Sequence, residues 1–135
     1  MAENIRLEVV TPEKSVVSEN AQIVMAPGTL GEFGVLSGHT PFLTTLKTGA
    51  LKYKDQSGQE RFIFVSSGFA EALPDRVTVL AESAERRKDI DIQRAKAAAE
   101  RAEKRLESKA DDIDFVRAKA ALLRAINRIQ LAETR

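Results

Sequence analysis

The sequence predicts an α+β protein, with an N-terminal antiparallel β-sandwich over residues 1–85 followed by a C-terminal antiparallel two-helix hairpin over residues 86–135. Three observations lead there. All seven Gly and all four Pro stand at or before Pro74. Short alternations of apolar and polar residues fill the intervals between them, as half-buried strands require. From Arg86 onward Ala, Glu, Lys, Arg and Leu dominate, and these are strong helix formers.

The strands come first. Ile5, Leu7 and Val9 share one face of a strand, Phe62 and Phe64 mark a second strand, and Val77 and Val79 a third. Turn signals at Asn20, Pro27-Gly28, Gly38, Gly49, Ser57-Gly58 and Pro74-Asp75 divide the region at spacings typical of a β-sandwich or flattened barrel. The clearest β-hairpin joins residues 50–54 to residues 61–66 across Asp55-Gln56-Ser57-Gly58.

In the helical part, Ile92, Ala95, Ala99, Ala102 and Leu106 fall at alternating steps of three and four, which draws one narrow apolar seam. A second helix is expected to begin near Asp111 or Asp112, whose carboxylates suit a helix N-terminus, with a seam of Phe115, Leu122, Ile126 and Ile129. The short connection at 107–110 implies antiparallel helices. Alanine buries little area, and at ~25 cal/mol per Å² such a seam contributes little. The hairpin is therefore expected to be marginal and able to change state.

Composition bounds the chemistry. The 135 residues suit one domain, or a small domain with an appendage. There is no Cys and a single histidine, His39, so thiolate chemistry and a His-built metal centre are excluded. No stretch reaches the ~20 apolar residues of a membrane span, and the N-terminus lacks the basic start and apolar core of a signal peptide. The expectation is a protein made and kept in the cytoplasm. The net charge of +1 hides a division: residues 1–84 carry −3 and residues 85–135 carry +4. So small an excess fits an acidic protein surface or a phosphate ligand better than duplex DNA.

The basic residues are also ordered. Arg94, Arg101 and Arg105 are separated by seven and four, and Arg117, Arg124 and Arg128 repeat those intervals. Each set forms one stripe of a helix. Two readings stay open: a solubilising face partnered by Glu100, Glu103 and Glu107, or a surface that meets a polyanion.

Two motifs narrow the choice. Residues 90–95, I-D-I-Q-R-A, fit an I-D-x-x-R-A pattern, and residues 31–41, G-E-F-G-V-L-S-G-H-T-P, fit G-E-x-G-x-L-P-G-H-x-P with Ser37 in place of the proline. Together with the order of β domain and two helices, they resemble the epsilon subunit of bacterial F-type ATP synthases. That resemblance implies a central-stalk rotor component that couples proton translocation to ATP synthesis, seated against the gamma subunit and the c-ring, with Glu32 and His39 in the partner-contacting loop. It also implies that the hairpin either folds, or extends toward the alpha and beta subunits and inhibits ATP hydrolysis. The folded form would bind ATP, with or without magnesium, as a regulatory ligand through Glu85, Ile90, Asp91, Arg94 and Ala95, with Arg101, Arg124 and Arg128 at the phosphates. Asp91 would accept from an exocyclic amine or hold the Arg94 rotamer. His39 is equally open to a local role, bonding backbone within its turn.

The expectation is a regulatory subunit with no catalytic residues, no metal and no required cofactor, peripheral at the cytoplasmic face of the cell membrane. Gly31, Gly34 and Gly38 lack the Lys and Ser/Thr of a P-loop and read as tight turns. The rival is a stand-alone binding module for RNA or an acidic protein. The seven aromatics, set mostly in strand-like patterns, offer RNA no stacking platform, so no nucleic acid is expected.

Overall fold

The computed structural model describes residues 3–108 and 114–134. It divides into two compact units, residues 1–86 and 87–135.

The first unit holds seven strands: β1 (Ile5–Val10), β2 (Ser15–Gly28), β3 (Gly31–Val35), β4 (Phe42–Leu46), β5 (Gly49–Asp55), β6 (Glu60–Leu73) and β7 (Arg76–Arg86). Neighbouring strands run antiparallel except β1 and β7, which pair in parallel from Arg6↔Arg76 to Val10↔Leu80. With β1–β2, β2–β5, β5–β6 and β6–β7, that pair closes a ring of five strands. β3 and β4 continue the sheet beyond the ring, β3 along the end of β2 and β4 along the end of β6. The two 14-residue strands make this possible by changing neighbours part-way. β2 passes from β1 to β3, and β6 from β5 to β4.

Asn20 is not a turn. It pairs with Arg6 inside β2, and the chain answers the change of neighbour with a register shift between Ala21 and Ile23. A bulge re-aims a strand without ending it. The handover in β6 is made at Ser67 and Gly68, with φ 44° and 120°. The alternation along the strands is otherwise as expected: Ile5, Leu7, Val9, Val77 and Val79 are buried in one core with Leu51, Ile63, Val65 and the ring of Tyr53. Phe64 is buried and Phe62 half-buried.

Arg86 ends β7 and stays with the sheet. Its guanidinium donates to the Tyr53 hydroxyl at 3.2 Å, while that hydroxyl donates to Glu19 at 2.5 Å. Burial, then the Glu19 contact, pushes the Tyr53 hydroxyl up to about 12. The group stays protonated and bridges β2, β5 and β7.

The β5–β6 connection is the predicted one. Asp55 Oδ1 accepts from the Ser57 hydroxyl at 2.5 Å and from the backbone N–H groups of Ser57 and Gln59, and Oδ2 accepts from Arg61 Nε at 3.2 Å. The Ser57 hydroxyl first, then the Gln59 N–H and the Arg61 guanidinium, lower the Asp55 carboxyl from 3.8 to about 2. A depressed carboxyl contributes stability that is complete above its unfolded value and lost as pH falls through the folded one. The expected result is a loss of stability between pH 4 and 2, measured by denaturant melts. Asp55→Asn is expected to shallow that slope by about one proton.

The second unit opens with a 3₁₀ turn (Arg87–Asp89), followed by α1 (Ile92–Glu107) and α2 (Phe115–Glu133). Lys96 Nζ lies 3.8 Å from Glu133 Oε1, and Arg87 Nη1 donates to the Thr134 carbonyl at 3.2 Å. The start of α1 thus meets the end of α2, and the helices are antiparallel. Asp111 and Asp112 lie outside the described residues, as do Lys109 and Ala110 in the expected connection. The described second helix begins at Phe115 with Asp114 as its N-cap.

The α1 seam matches expectation, with Ala95 and Ala102 buried between half-buried Ile92, Ala99 and Leu106. The α2 seam does not. Ala118, Ala125 and Leu131 are buried, whereas Phe115 and Ile126 are exposed and Leu122 and Ile129 only half-buried. Helices that meet through alanine bring their backbones close, and large side chains are displaced to the flanks of so narrow a contact.

Candidate functional site

The nucleotide-site residues named from the sequence occupy both units. Glu85 stands in β7, opposite Phe64. Ile90, Asp91, Arg94, Ala95, Arg101, Arg124 and Arg128 belong to the helical unit. Ile90 is buried beyond the 3₁₀ turn, its N–H donating to the Arg87 carbonyl at 3.3 Å.

Asp91 has a structural role that the sequence reading did not name. It has extended backbone, φ −84° and ψ 100°, and its carboxylate accepts the backbone N–H of Arg94 at 3.0 Å. It is the N-cap of α1, satisfying one of the donors that a helix start leaves open. The bond that Asp91 makes to Arg94 is to its backbone. Arg94 and Arg101 point outward, and Arg124 and Arg128 are half-buried. Of the acids proposed as partners for a solubilising face, Glu100 pairs with Lys104 at 3.3 Å. Ala95 is buried in the seam, so its small side chain serves helix approach. What the geometry offers an anion is a helical surface with guanidiniums at regular heights, which can fork onto phosphate oxygens.

Glu32 and His39 do not share one loop. Glu32 is exposed in β3, opposite Pro27 and next to the Thr29-Leu30 turn, where Leu30 is 99% exposed. His39 follows the far end of β3. There Gly38 N–H donates to the Pro74 carbonyl at 2.7 Å, and Ser37 donates to Glu3 at 3.4 Å. His39 Nδ1 lies 2.7 Å from the Thr40 carbonyl, and its ring centroid is 5.0 Å from that of Phe42. The local bond is made, and the residue is half-buried. Gly31 and Gly38 have φ of 134° and 85°, as turn glycines do. Gly34 is not a turn. It sits inside β3, where a Cβ would come 2.7 Å from Met25 Sδ.

An apolar surface that sequence reading did not find lies on the outside of the sheet. Thr45 pairs with Phe69, Phe69 with Leu80, and Leu80 with Val10, a single row across β4, β6, β7 and β1. Leu43, Phe69 and Leu80 are exposed. Two large apolar side chains directly cross-strand on an outer face are a marker of a partner surface. The signal was present in the alternation, since Leu80 and Phe69 fall out of phase with buried Val79 and Ala70. Among the described residues no His, Asp or Glu side chains gather into a metal site, and no helix is long and apolar enough to cross a membrane.

Comparison with known proteins agrees with this architecture. Residues 4–87 match the family described as ATP synthase, Delta/Epsilon chain, beta-sandwich domain, and residues 88–133 match the long alpha-helix domain of the same chain. The ATP synthase epsilon chain of Desulforapulum autotrophicum is 65% identical over 135 residues, covering 100% of both chains. That of Desulfosudis oleivorans is 75% identical over 108 residues, 80% of this chain and 81% of the relative. Among solved structures, a chain of the Euglena gracilis mitochondrial ATP synthase shares the fold, with TM-score 0.79 at 22% identity over 92% of this chain and 78% of that one. With both domains and the full length matched, the chain belongs to the ATP synthase delta/epsilon chain family.

Proposed function

We propose that the chain is the central-stalk rotor subunit of an F-type ATP synthase, a regulatory part of the assembly and not a catalyst. It couples proton translocation to ATP synthesis and inhibits ATP hydrolysis through its helical hairpin. The full-length identity to an epsilon chain carries this reading. Two features of the molecule support it. The β unit offers an apolar row suited to a permanent partner, which we assign to the gamma subunit, and polar groups at exposed Glu32 and half-buried His39, which we assign to gamma and c-ring contacts. The helical unit is held by alanines, so a modest ligand free energy decides its state. Extended, it meets the alpha and beta subunits. On this reading the chain works at the cytoplasmic face of the cell membrane, as a peripheral protein.

ATP, with or without magnesium, is the proposed ligand of the folded hairpin, and no cofactor is required. Arg101, Arg124 and Arg128 serve the phosphates, and Ile90, Asp91, Arg94 and Ala95 form the entry side; Glu85 joins them on the strength of the family resemblance. A ligand that binds only the folded form stabilises it by ~2.7 kcal/mol at a hundredfold excess over its Kd. Isothermal titration of the full chain with ATP is expected to give one saturable site, abolished in Arg94→Ala/Arg101→Ala. A flat titration at millimolar ATP would remove the nucleotide from this reading. Failure to co-purify with a gamma subunit would remove the rotor assignment.

A further inference from the structure

The helical unit contains the same sentence twice. Residues 90–105 read IDIQRAKAAAERAEKR and residues 113–128 read IDFVRAKAALLRAINR, identical at ten of sixteen positions with an offset of 23 residues. The I-D-x-x-R-A motif is therefore present at the start of both helices. Ile113 lies outside the described residues, and the structure repeats with the sequence from Asp114 onward.

The correspondence reaches the atoms. Asp91 has φ −84° and ψ 100°, and Asp114 has φ −85° and ψ 98°. The Asp91 carboxylate accepts the Arg94 N–H at 3.0 Å, and the Asp114 carboxylate accepts the Arg117 N–H at 3.0 Å. The alanines that follow, Ala95 with Ala118 and Ala102 with Ala125, are all buried at no more than 4% exposure. Because the helices are antiparallel, the two motifs stand at opposite ends of the hairpin. A ligand signature would mark one place, whereas a signature that recurs at the other end with the same bond states a rule of construction.

We infer that I-D-x-x-R-A is a duplicated helix-starting unit in which Asp91 and Asp114 are equivalent positioning residues. Each closes the first turn of its helix and thereby sets the height and direction of the arginines behind it. Resting on the nucleotide reading given above, Asp91 contributes to ATP binding by placing Arg94 and Arg101, not by touching the ligand. The reason is geometric: Asp91 Oδ1 is committed to the Arg94 N–H, and that bond fixes the first turn from which Arg94 and Arg101 project. The cap role asks for a side-chain oxygen acceptor and not for a charge, so asparagine serves it as well as aspartate, and alanine does not.

The test uses the full chain with Asp91→Asn, Asp91→Ala, Asp114→Asn and Asp114→Ala, read by amide hydrogen exchange and by titration with ATP. Each alanine variant is expected to speed exchange of its own helix start, at Arg94 or Arg117, by about fivefold, the effect of an ordinary cap. The asparagine variants are expected to stay near wild type. ATP affinity should follow the same order at position 91, weakened in Asp91→Ala and rescued in Asp91→Asn. If Asp91→Asn binds ATP as poorly as Asp91→Ala while the Arg94 amide stays protected, the carboxylate acts on the ligand itself and the inference is overturned. Unchanged exchange in both alanine variants also overturns it. Should the wild-type chain bind no ATP, the nucleotide reading fails, and exchange alone decides whether the two aspartates are equivalent caps.

Discussion

Gly68→Ala is expected to unfold the β unit. A Cβ at this position would stand 2.1 Å from the Leu80 carbonyl oxygen, 2.9 Å from Ala81 Cα and 3.0 Å from the Leu80 carbonyl carbon. All three are backbone atoms of β7, the paired neighbour of β6, so no side-chain rotation relieves the contact. The backbone adds its own objection, because φ is 120° and an L side chain is strained there. Relief requires β6 and β7 to separate where β6 leaves β5 for β4. A clash of that kind belongs with the mutations that cost more than about 4 kcal/mol, a large part of the 5–15 kcal/mol that holds an ordinary domain. Circular dichroism on thermal and denaturant melts reads the result directly. A midpoint within a few degrees of wild type would show that the strands can part at little cost.

The second large effect is expected from Ala102→Glu, which should open the helical hairpin and leave the β unit intact. Ala102 is 1% exposed in a seam of small residues. A glutamate there must bury a charge or push the helices apart, and a buried unpaired charge costs several kcal/mol. An alanine seam has little favourable burial with which to resist. The closed population should fall by at least about a hundredfold, since each 1.4 kcal/mol is a factor of ten. The chain has no cysteine of its own, so spin labels at Lys96→Cys and Glu133→Cys report one distance without interference. Those side chains are 3.8 Å apart in the closed form. A narrow short distance is expected in the otherwise unaltered chain and a broad long one with Ala102→Glu. Retention of the short distance would mean that the contact tolerates a carboxylate, against the close packing described.

The division into a sheet and a helical hairpin was legible because glycine and proline stop at Pro74 and because Ile5, Leu7, Val9, Val77 and Val79 alternate cleanly. The Asp55 turn was legible for the same local reason. What escaped was non-local or quantitative. Nothing in residues 5–10 or 76–80 announces that β1 lies parallel to β7, since a pairing across some seventy residues leaves no local mark. Asn20 looked like a turn because a bulge and a turn use similar residues. In α2 two stripes fit helical spacing equally well, Phe115 with Ile126 and Ala118 with Ala125, and size alone favoured the wrong one. Helix proximity chose the alanines. Of the candidate site, the residues 90–95 motif was visible but its chemistry was not. A carboxylate three residues before an arginine suggests a side-chain pair, and the bond goes instead to that arginine's backbone.

The parallel ladder between β1 and β7 has a consequence for how the chain must be made. The β5–β6 hairpin can form as soon as its own residues have left the ribosome, but the first strand cannot obtain its second neighbour until residue 80 has emerged. Until then one edge of β1 is unsatisfied, while its other edge waits on β2. Closure of the ring is thus a late event, held back by the entropy of a long loop. The helical unit, whose partners lie within fifty residues of one another, is under no such delay. The later-translated of the two units relies on the most local contacts, and the earlier one must wait longer for its structure.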